Sequence, residues 1–271
     1  MISQHIYKTL LIAGISLIMG LAHASDTAKE KRWANQIVDS IMVGDAEWLK
    51  VGNSKILALY TEYTTEKAQG GAIVIHGAGV HPNWDQVIRP IRSQLPDYGW
   101  STLSIQMPVL ANDANYSEYA KLFNEIAPRV DVAVKFLKTK GINNIVIVAH
   151  SLGATMAAYY LRKKPDKSIK ALVAIGSTGS LFKDKDKNYF KSLEMIKLPI
   201  LDIFGAIDLP EVMQTAGRKK EIARKFGNKK YTQLKVAGAN HFFDNKDDVL
   251  IKRIRGWLLK NAAGTEIKIN K

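Results

Sequence analysis

The sequence predicts an α/β protein with a mostly parallel central sheet and helices on both faces. Short apolar runs alternate with stretches of helical period over most of its 271 residues, the pattern of βα units. The middle runs are apolar at successive positions, as strands buried on both faces must be. Such sheets place ligands at the carboxyl ends of their strands. Residues able to do chemistry stand just past several of these runs.

Taken from the amino terminus, the chain opens with Lys8, an uninterrupted apolar run Leu10 to Leu21, and Ala22-His23-Ala24. Charged, apolar and small segments in that order describe a cleavable secretory signal, cut after Ala24. The run is about 12 residues, short of the roughly 20 needed to span a bilayer. Residues 25–271 are then read as a single periplasmic or secreted domain. The chain has no cysteine, so no thiol can serve as a nucleophile and no disulfide staples the fold.

Residues 27–43 read as an amphipathic helix, and Glu47–Val51 with Lys55–Thr61 as a hairpin around Gly52-Asn53. Strands are expected at Ala72–Ile75, Thr102–Ile105, Ile145–Val148, Ala171–Ile175, Ile200–Phe204 and Thr232–Val236. Between them Ile126, Val130, Val134 and Leu137 share one helical face, as do Leu250, Ile254, Trp257 and Leu258. Pro128 should kink the first of these helices or start it afresh.

The third run leads into Ala149-His150-Ser151-Leu152-Gly153-Ala154, followed by a helical stretch Thr155 to Leu161. Strand, sharp turn and helix with serine at the apex form a nucleophile elbow. Small residues must stand two before and two after the serine so that strand and helix can pass, and Ala149 and Gly153 do. Glycine is usual at the first of these, so Ala149 is a departure. An ordinary strand-to-helix turn with Ser151 as a helix cap is the competing reading.

A serine hydroxyl needs a base to take its proton. Among the histidines after residue 24, only His241 follows Ser151, in Gly238-Ala239-Asn240-His241-Phe242-Phe243 between the last strand and the last helix. The acid is expected from the preceding strand, where Asp208 sits on a turn in Phe204-Gly205-Ala206-Ile207-Asp208-Leu209-Pro210. Asp202 is its rival, but it lies mid-strand, where an unpaired charge is costly. The first buried run ends in His76-Gly77-Ala78-Gly79, a loop able to aim backbone N–H groups at a developing oxyanion. Ala78 and Leu152 are the expected donors. A dinucleotide fingerprint does not fit this loop. The third glycine is missing, and Ile105-Gln106-Met107-Pro108 supplies no acid. His76, His81 and Asp85 lack the spacing of a metal site, so neither metal nor other cofactor is expected.

With these residues in place, the chain resembles the α/β-hydrolase superfamily over roughly Gly71 to Leu259. Ile75-His76-Gly77-Ala78-Gly79-Val80-His81-Pro82-Asn83-Trp84 and Gly99 to Pro108 are similar, more narrowly, to the exported α/β-hydrolase-like DUF3530 group. The resemblance implies an α/β-hydrolase fold, export, and a place for His81 and Trp84 at the mouth of the oxyanion loop. It implies no settled activity. The stretch Ser177 to Leu198 leaves room for a minimal cap only. An open site shaped by Leu181, Phe182, Tyr189 and Phe190 is expected, suited to a small-molecule or lipid ester or thioester. A non-catalytic envelope protein that keeps the fold and binds a lipid or partner is the alternative. A peptidase differs only in its leaving group.

Lysine and arginine exceed acids by 39 to 25, a formal net charge of +14. Much of the excess falls between Arg218-Lys219-Lys220 and Lys229-Lys230, read as a solvated helix face or as a peripheral contact with an anionic membrane surface. No RNA-binding aromatic signature or zinc-finger spacing accompanies it, so nucleic acid is not expected.

Overall fold

A computed structural model describes residues 25–163 and 166–264. The expected signal, residues 1–24, lies outside them. Helix α1 (Thr27–Val38) is capped by Asp26, whose carboxylate accepts the Lys29 N–H at 2.8 Å. It stops five residues short of the sequence expectation, and the chain turns through Gly44 at φ +77°. Strands β1 (Asp45–Val51) and β2 (Ser54–Thr61) form the hairpin, Val51 opposite Ser54, with Gly52 at φ +57°.

The six further strands fall where the apolar runs do, lengthened at their ends. They are β3 (Gly70–Ile75), β4 (Trp100–Ile105), β5 (Ile145–His150), β6 (Ile169–Ile175), β7 (Ile200–Ile207) and β8 (Tyr231–Asn240). Their order is β1-β2-β4-β3-β5-β6-β7-β8. The pairs β1–β2 and β2–β4 are antiparallel and the others parallel. The chain steps outward from β3 to β4, then returns to place β5 on the other side of β3. That reversal is a topological switch, and a crevice opens above it at the carboxyl ends of β3 and β5.

Alternate side chains of the buried strands feed two cores. Ile73, Ile75, Ile147 and Ala149 pack against Val130, Val134 and Leu137 of α3 (Ile126–Thr139) and Met156 of α4 (Leu152–Lys163). Ala72, Val74, Val146 and Val148 face the other way, onto Ile88 and Ile91 of α2 (Ile88–Gln94) and Ile254, Trp257 and Leu258 of α7 (Asp247–Asn261). Helix α3 begins afresh after a 3-10 helix, Tyr116–Glu125. Pro128 is its third residue, where the missing N–H has no helical acceptor to lose.

Between β6 and β7 the chain makes one 3-10 turn and the short α5 (Tyr189–Leu193), so no long cap covers the crevice. The side chains expected to shape the site there are placed differently. Phe182 and Tyr189 are buried in the core, and Phe190 packs against Gly179 beneath the Arg218 guanidinium. Phe182 meets the rings of Tyr116 and Phe123, so these side chains fill the interior beside the crevice where an open lining was expected.

Helix α6 (Pro210–Lys225) covers β7 through Val212 and Ala216. Its Lys219 is not on the solvated face that the basic run suggested. The ammonium is fully buried, 3.0 Å from the Asp202 carboxylate. A lysine inside a run of cations looks solvated in sequence; here a mid-strand acid pulls it inward. Of the remaining cations, Arg218 and Lys220 lie midway along α6, Arg224 and Lys225 in its last turn, and Lys229 and Lys230 just ahead of β8.

Candidate active site

The elbow sits between β5 and α4. Ser151 has φ +54°, a left-handed conformation that costs a non-glycine residue energy and is kept only where the surroundings enforce it. The enforcement is visible on both sides. Its N–H donates to the Ile175 carbonyl at 2.8 Å, and its own carbonyl accepts from Ala154 N–H at 3.0 Å. Gly153 permits the crossing, since a Cβ there would meet the His76 carbonyl oxygen at 2.3 Å. Ala149 is buried and accommodated at the position where glycine is usual.

Three side chains drawn from distant parts of the sequence meet at this turn. His241 Nε2 lies 3.1 Å from Ser151 Oγ, and His241 Nδ1 lies 2.6 Å from Asp208 Oδ1. Asp208 follows β7 immediately. Its carboxylate also accepts the Gly205 N–H at 3.1 Å and the Leu209 N–H at 2.8 Å. Burial alone would raise its pKa. The His241 N–H and the two backbone donors outweigh burial and hold the carboxyl below its ordinary range. With Nδ1–H committed to Asp208, Nε2 presents a lone pair to the serine proton. Gly176, at φ +57°, lets the His241 ring lie close: a Cβ there would be 2.9 Å from it.

Asp202 is not part of this group. It accepts from Lys219, Ser177, Tyr231 and Gln233 within the sheet. The cost of burying its charge mid-strand is met by Lys219.

The His76–Gly79 loop runs directly beside Ser151, because a Cβ on Gly77 would stand 3.2 Å from the Ser151 Cβ. Ala78 follows it. Leu152 is the first residue of α4, so its N–H is one of the donors a helix start leaves without an internal acceptor. His81 and Trp84 line a cavity of about 310 Å³ with Asp85 and Gln86. Gln86 reaches Asp244 at 2.8 Å and so joins that wall to the His241 loop. Among the described residues no group of three His, Cys, Asp or Glu side chains is arranged to hold a metal ion.

Two histidines that the motif reading left without roles brace the loops. His76 accepts the Met107 N–H at Nε2, 2.9 Å away, and lies 2.9 Å from the Gly77 carbonyl through Nδ1. His150 Nε2 lies 3.0 Å from the His241 carbonyl, so it carries the proton and ties the elbow to the His241 loop. Burial holds the first imidazole down at about 3 and the second at about 4. Both stay neutral in the fold while an unfolded histidine protonates near 6.5. Their folded pKa values lie below the unfolded ones, so stability is complete above about pH 6.5 and declines as pH falls towards 4. Thermal melting followed between pH 8 and 4 is therefore expected to show a falling Tm below about pH 6.5, and His150→Gln to flatten that fall.

The sequence reading also missed the rim. Tyr116, Ile207, Leu209 and Phe242 expose 40%, 67%, 44% and 37% of their surfaces. Ile207 and Leu209 flank Asp208, the Phe242 ring lies 5.2 Å from the His241 ring, and Tyr116 lies close to Ser151. Clustered exposed apolar side chains mark a binding surface more often than chance exposure does. The apolar neighbours of Asp208 and His241 were the available signal.

The family model described as "Protein of unknown function (DUF3530)" matches residues 23–122 and 111–260. No curated protein matches the chain. Among solved structures, a dienelactone hydrolase from Anabaena variabilis is similar with a TM-score of 0.64 at 19% identity, over 80% of this chain and 97% of that one. Est1E from Butyrivibrio proteoclasticus is similar at 0.63 and 17%, over 80% and 98%. An esterase from Pyrococcus furiosus is similar at 0.64 and 16%, over 83% and 97%. At such identities the likeness is one of fold, and that fold is the α/β-hydrolase fold.

Proposed function

We propose, from the premise that this chain belongs to the DUF3530 family and has the α/β-hydrolase fold, that it is a serine hydrolase of carboxylic esters or thioesters. The observation that carries the reading is the Asp208–His241–Ser151 hydrogen-bond chain, 2.6 and 3.1 Å long, beneath an apolar rim. As Ser151 Oγ bonds to the acyl carbon, its proton passes to His241 Nε2 and the carbonyl π pair moves onto oxygen. The Ala78 and Leu152 N–H groups are the expected donors to that oxygen. Asp208 holds the tautomer and stabilises the imidazolium. Collapse expels the alcohol or thiol, which takes the proton from His241, and water repeats the sequence to free the acid. Tyr116, Ile207, Leu209 and Phe242 suit an apolar acyl group.

Removal of residues 1–24 as a secretory signal would put this reaction in the periplasm or outside the cell. If Arg224, Lys225, Lys229 and Lys230, between the end of α6 and the start of β8, meet an anionic membrane, the crevice at the carboxyl ends of the strands is left open.

A fluorophosphonate probe tests the reading. The purified chain from Ser25 onward is expected to be labelled at Ser151, located by peptide mass mapping, and to hydrolyse p-nitrophenyl acyl esters. Folded protein that takes up no label and cleaves no ester of any chain length would end it.

A further inference from the structure

Ser25, the residue after the expected cut, grips one carboxylate with two donors. Its backbone nitrogen donates to Glu125 Oε1 at 3.1 Å, and its hydroxyl donates to Oε2 of the same group at 2.7 Å. Glu125 ends the 3-10 helix ahead of α3 and lies 100 positions along the chain, so no local rule brings the two together. The next residue continues the attachment, with Asp26 N–H donating to the Val109 carbonyl at 2.7 Å.

Arg129, in the first turn of α3, fixes the carboxylate from behind. Its guanidinium donates to Glu125 Oε2 at 3.1 Å and to the two oxygens of Glu30 at 2.9 and 3.0 Å. The Arg129 and Glu30 side chains are buried, and that of Glu125 is 16% exposed. Two further charges stand on the segment that carries Ser25. Asp26 caps α1, which offsets the positive end of the helix macrodipole. Lys29 turns its ammonium to the Leu110 carbonyl at 2.9 Å and over the Trp33 ring. The Ser25 nitrogen is thus placed on Glu125, while Arg129 meets Ser25 only at the hydroxyl, 3.4 Å away. The cluster also reaches the site: Arg129 donates to the Gln106 carbonyl at 3.1 Å, and the next N–H, of Met107, is held by His76.

We propose that the Glu125 carboxylate is the receptor for the α-ammonium that removal of residues 1–24 creates at Ser25, so that processing itself strengthens the fold. Before the cut the Ser25 nitrogen is an amide with one neutral N–H. A signal peptidase hydrolyses the Ala24–Ser25 bond with one water. The water's oxygen goes to the Ala24 carbonyl carbon and both its hydrogens end on the Ser25 nitrogen, leaving a carboxylate on the released piece and an ammonium on the protein. The same nitrogen then makes a charge-assisted bond to a largely buried carboxylate, about twice as strong as the neutral one it replaces.

The test compares the chain beginning at Ser25 with the same chain acetylated at that nitrogen. The acetyl group stands where the Ala24 carbonyl stood, keeps one N–H and removes the charge. At pH 7 the free terminus is expected to melt about 3 °C or more above the acetylated one. Its α-amine, followed by the pH dependence of its acylation, is expected to titrate above the value of about 8 that an exposed α-amine shows. A pKa raised in the fold gives stability that is complete below about pH 8 and is lost as pH rises through the folded value. The difference in Tm should therefore shrink in alkaline buffer. Glu125→Gln keeps an acceptor oxygen and drops the charge, so it should bring the two forms together; if that variant does not fold, the free and acetylated wild-type pair decides alone. Equal melting at pH 7, or an α-amine that titrates at about 8, overturns the proposal. So does a mature terminus other than Ser25 when full-length protein exported by a bacterial host is sequenced from its amino end. None of these measurements uses Ser151, so the serine-hydrolase reading stands or falls separately.

Discussion

Ser151→Ala is expected to lower ester turnover by about 10⁴-fold or more and to abolish fluorophosphonate labelling, with the melting temperature little changed. The exchange keeps a Cβ at φ +54°, so whatever strain the elbow holds stays in place. It deletes only the atom that His241 Nε2 approaches at 3.1 Å. Asp208→Asn should approach the same loss by another route. An amide can present its N–H to His241 Nδ1, which moves the ring proton to Nε2 and leaves no lone pair for the serine; this costs about 10⁴-fold in a comparable site. Because the three groups act as one unit, Ser151→Ala with Asp208→Asn should be hardly worse than Ser151→Ala alone. Rates for purified single and double variants against one ester decide it. Additive losses would mean that Asp208 acts on something other than the Ser151–His241 pair, and turnover surviving in Ser151→Ala would remove the nucleophile assignment altogether.

The parts of this site that could be read in the sequence are those fixed by local rules. The elbow needs Gly153 because the His76 carbonyl just past the end of β3 would stand 2.3 Å from a Cβ there, and such needs leave a spacing. The order serine, acid, histidine follows from the order of parallel strands. Asp208 and His241 stand just past β7 and β8, as that order requires. Tyr116 leaves no such trace. It comes near Ser151 from the segment that follows β4, two strands from β5 in the sheet, and long-range placement of that kind has no period. Tyr189 and Phe182 were misplaced for a related reason. A loop rich in aromatic residues is compatible with lining a crevice or filling a gap in the core, and for Phe182 the position of the distant Tyr116–Glu125 helix decides between them. Lys219 is the clearest case, since its neighbours Arg218 and Lys220 give it a solvated context that its own contacts contradict.

Lys219→Met is expected to destabilise the protein by about 3–5 kcal/mol, the usual cost of leaving one member of a buried ion pair alone. For a domain of this size that is a fall in Tm of roughly 6–20 °C. The ammonium donates to Asp202 Oδ1 at 3.0 Å and to the Ser177 carbonyl and hydroxyl at 2.7 and 3.1 Å. Methionine fills much the same volume and supplies none of these bonds, so the Asp202 carboxylate keeps only Ser177, Tyr231 and Gln233 as donors. Removing the charge at both ends should be milder. In Lys219→Met with Asp202→Asn, the amide oxygen can still accept from Tyr231 and Gln233, and no bare charge is left inside. The double variant is therefore expected to melt above Lys219→Met, a reversal that an ordinary loss of packing would not give. The pair also bears on chemistry. Asp202 lies in β7 and Lys219 in α6, and the turn joining those two elements carries Asp208. With that clamp open, the carboxylate that orients His241 loses a fixed frame. Activity of Lys219→Met, measured well below its own Tm, should fall through kcat more than KM, while the double variant regains part of it. Calorimetry of the three variants against wild type checks the stability order; a double variant less stable than Lys219→Met would show that the ion pair is not what holds this end of the sheet.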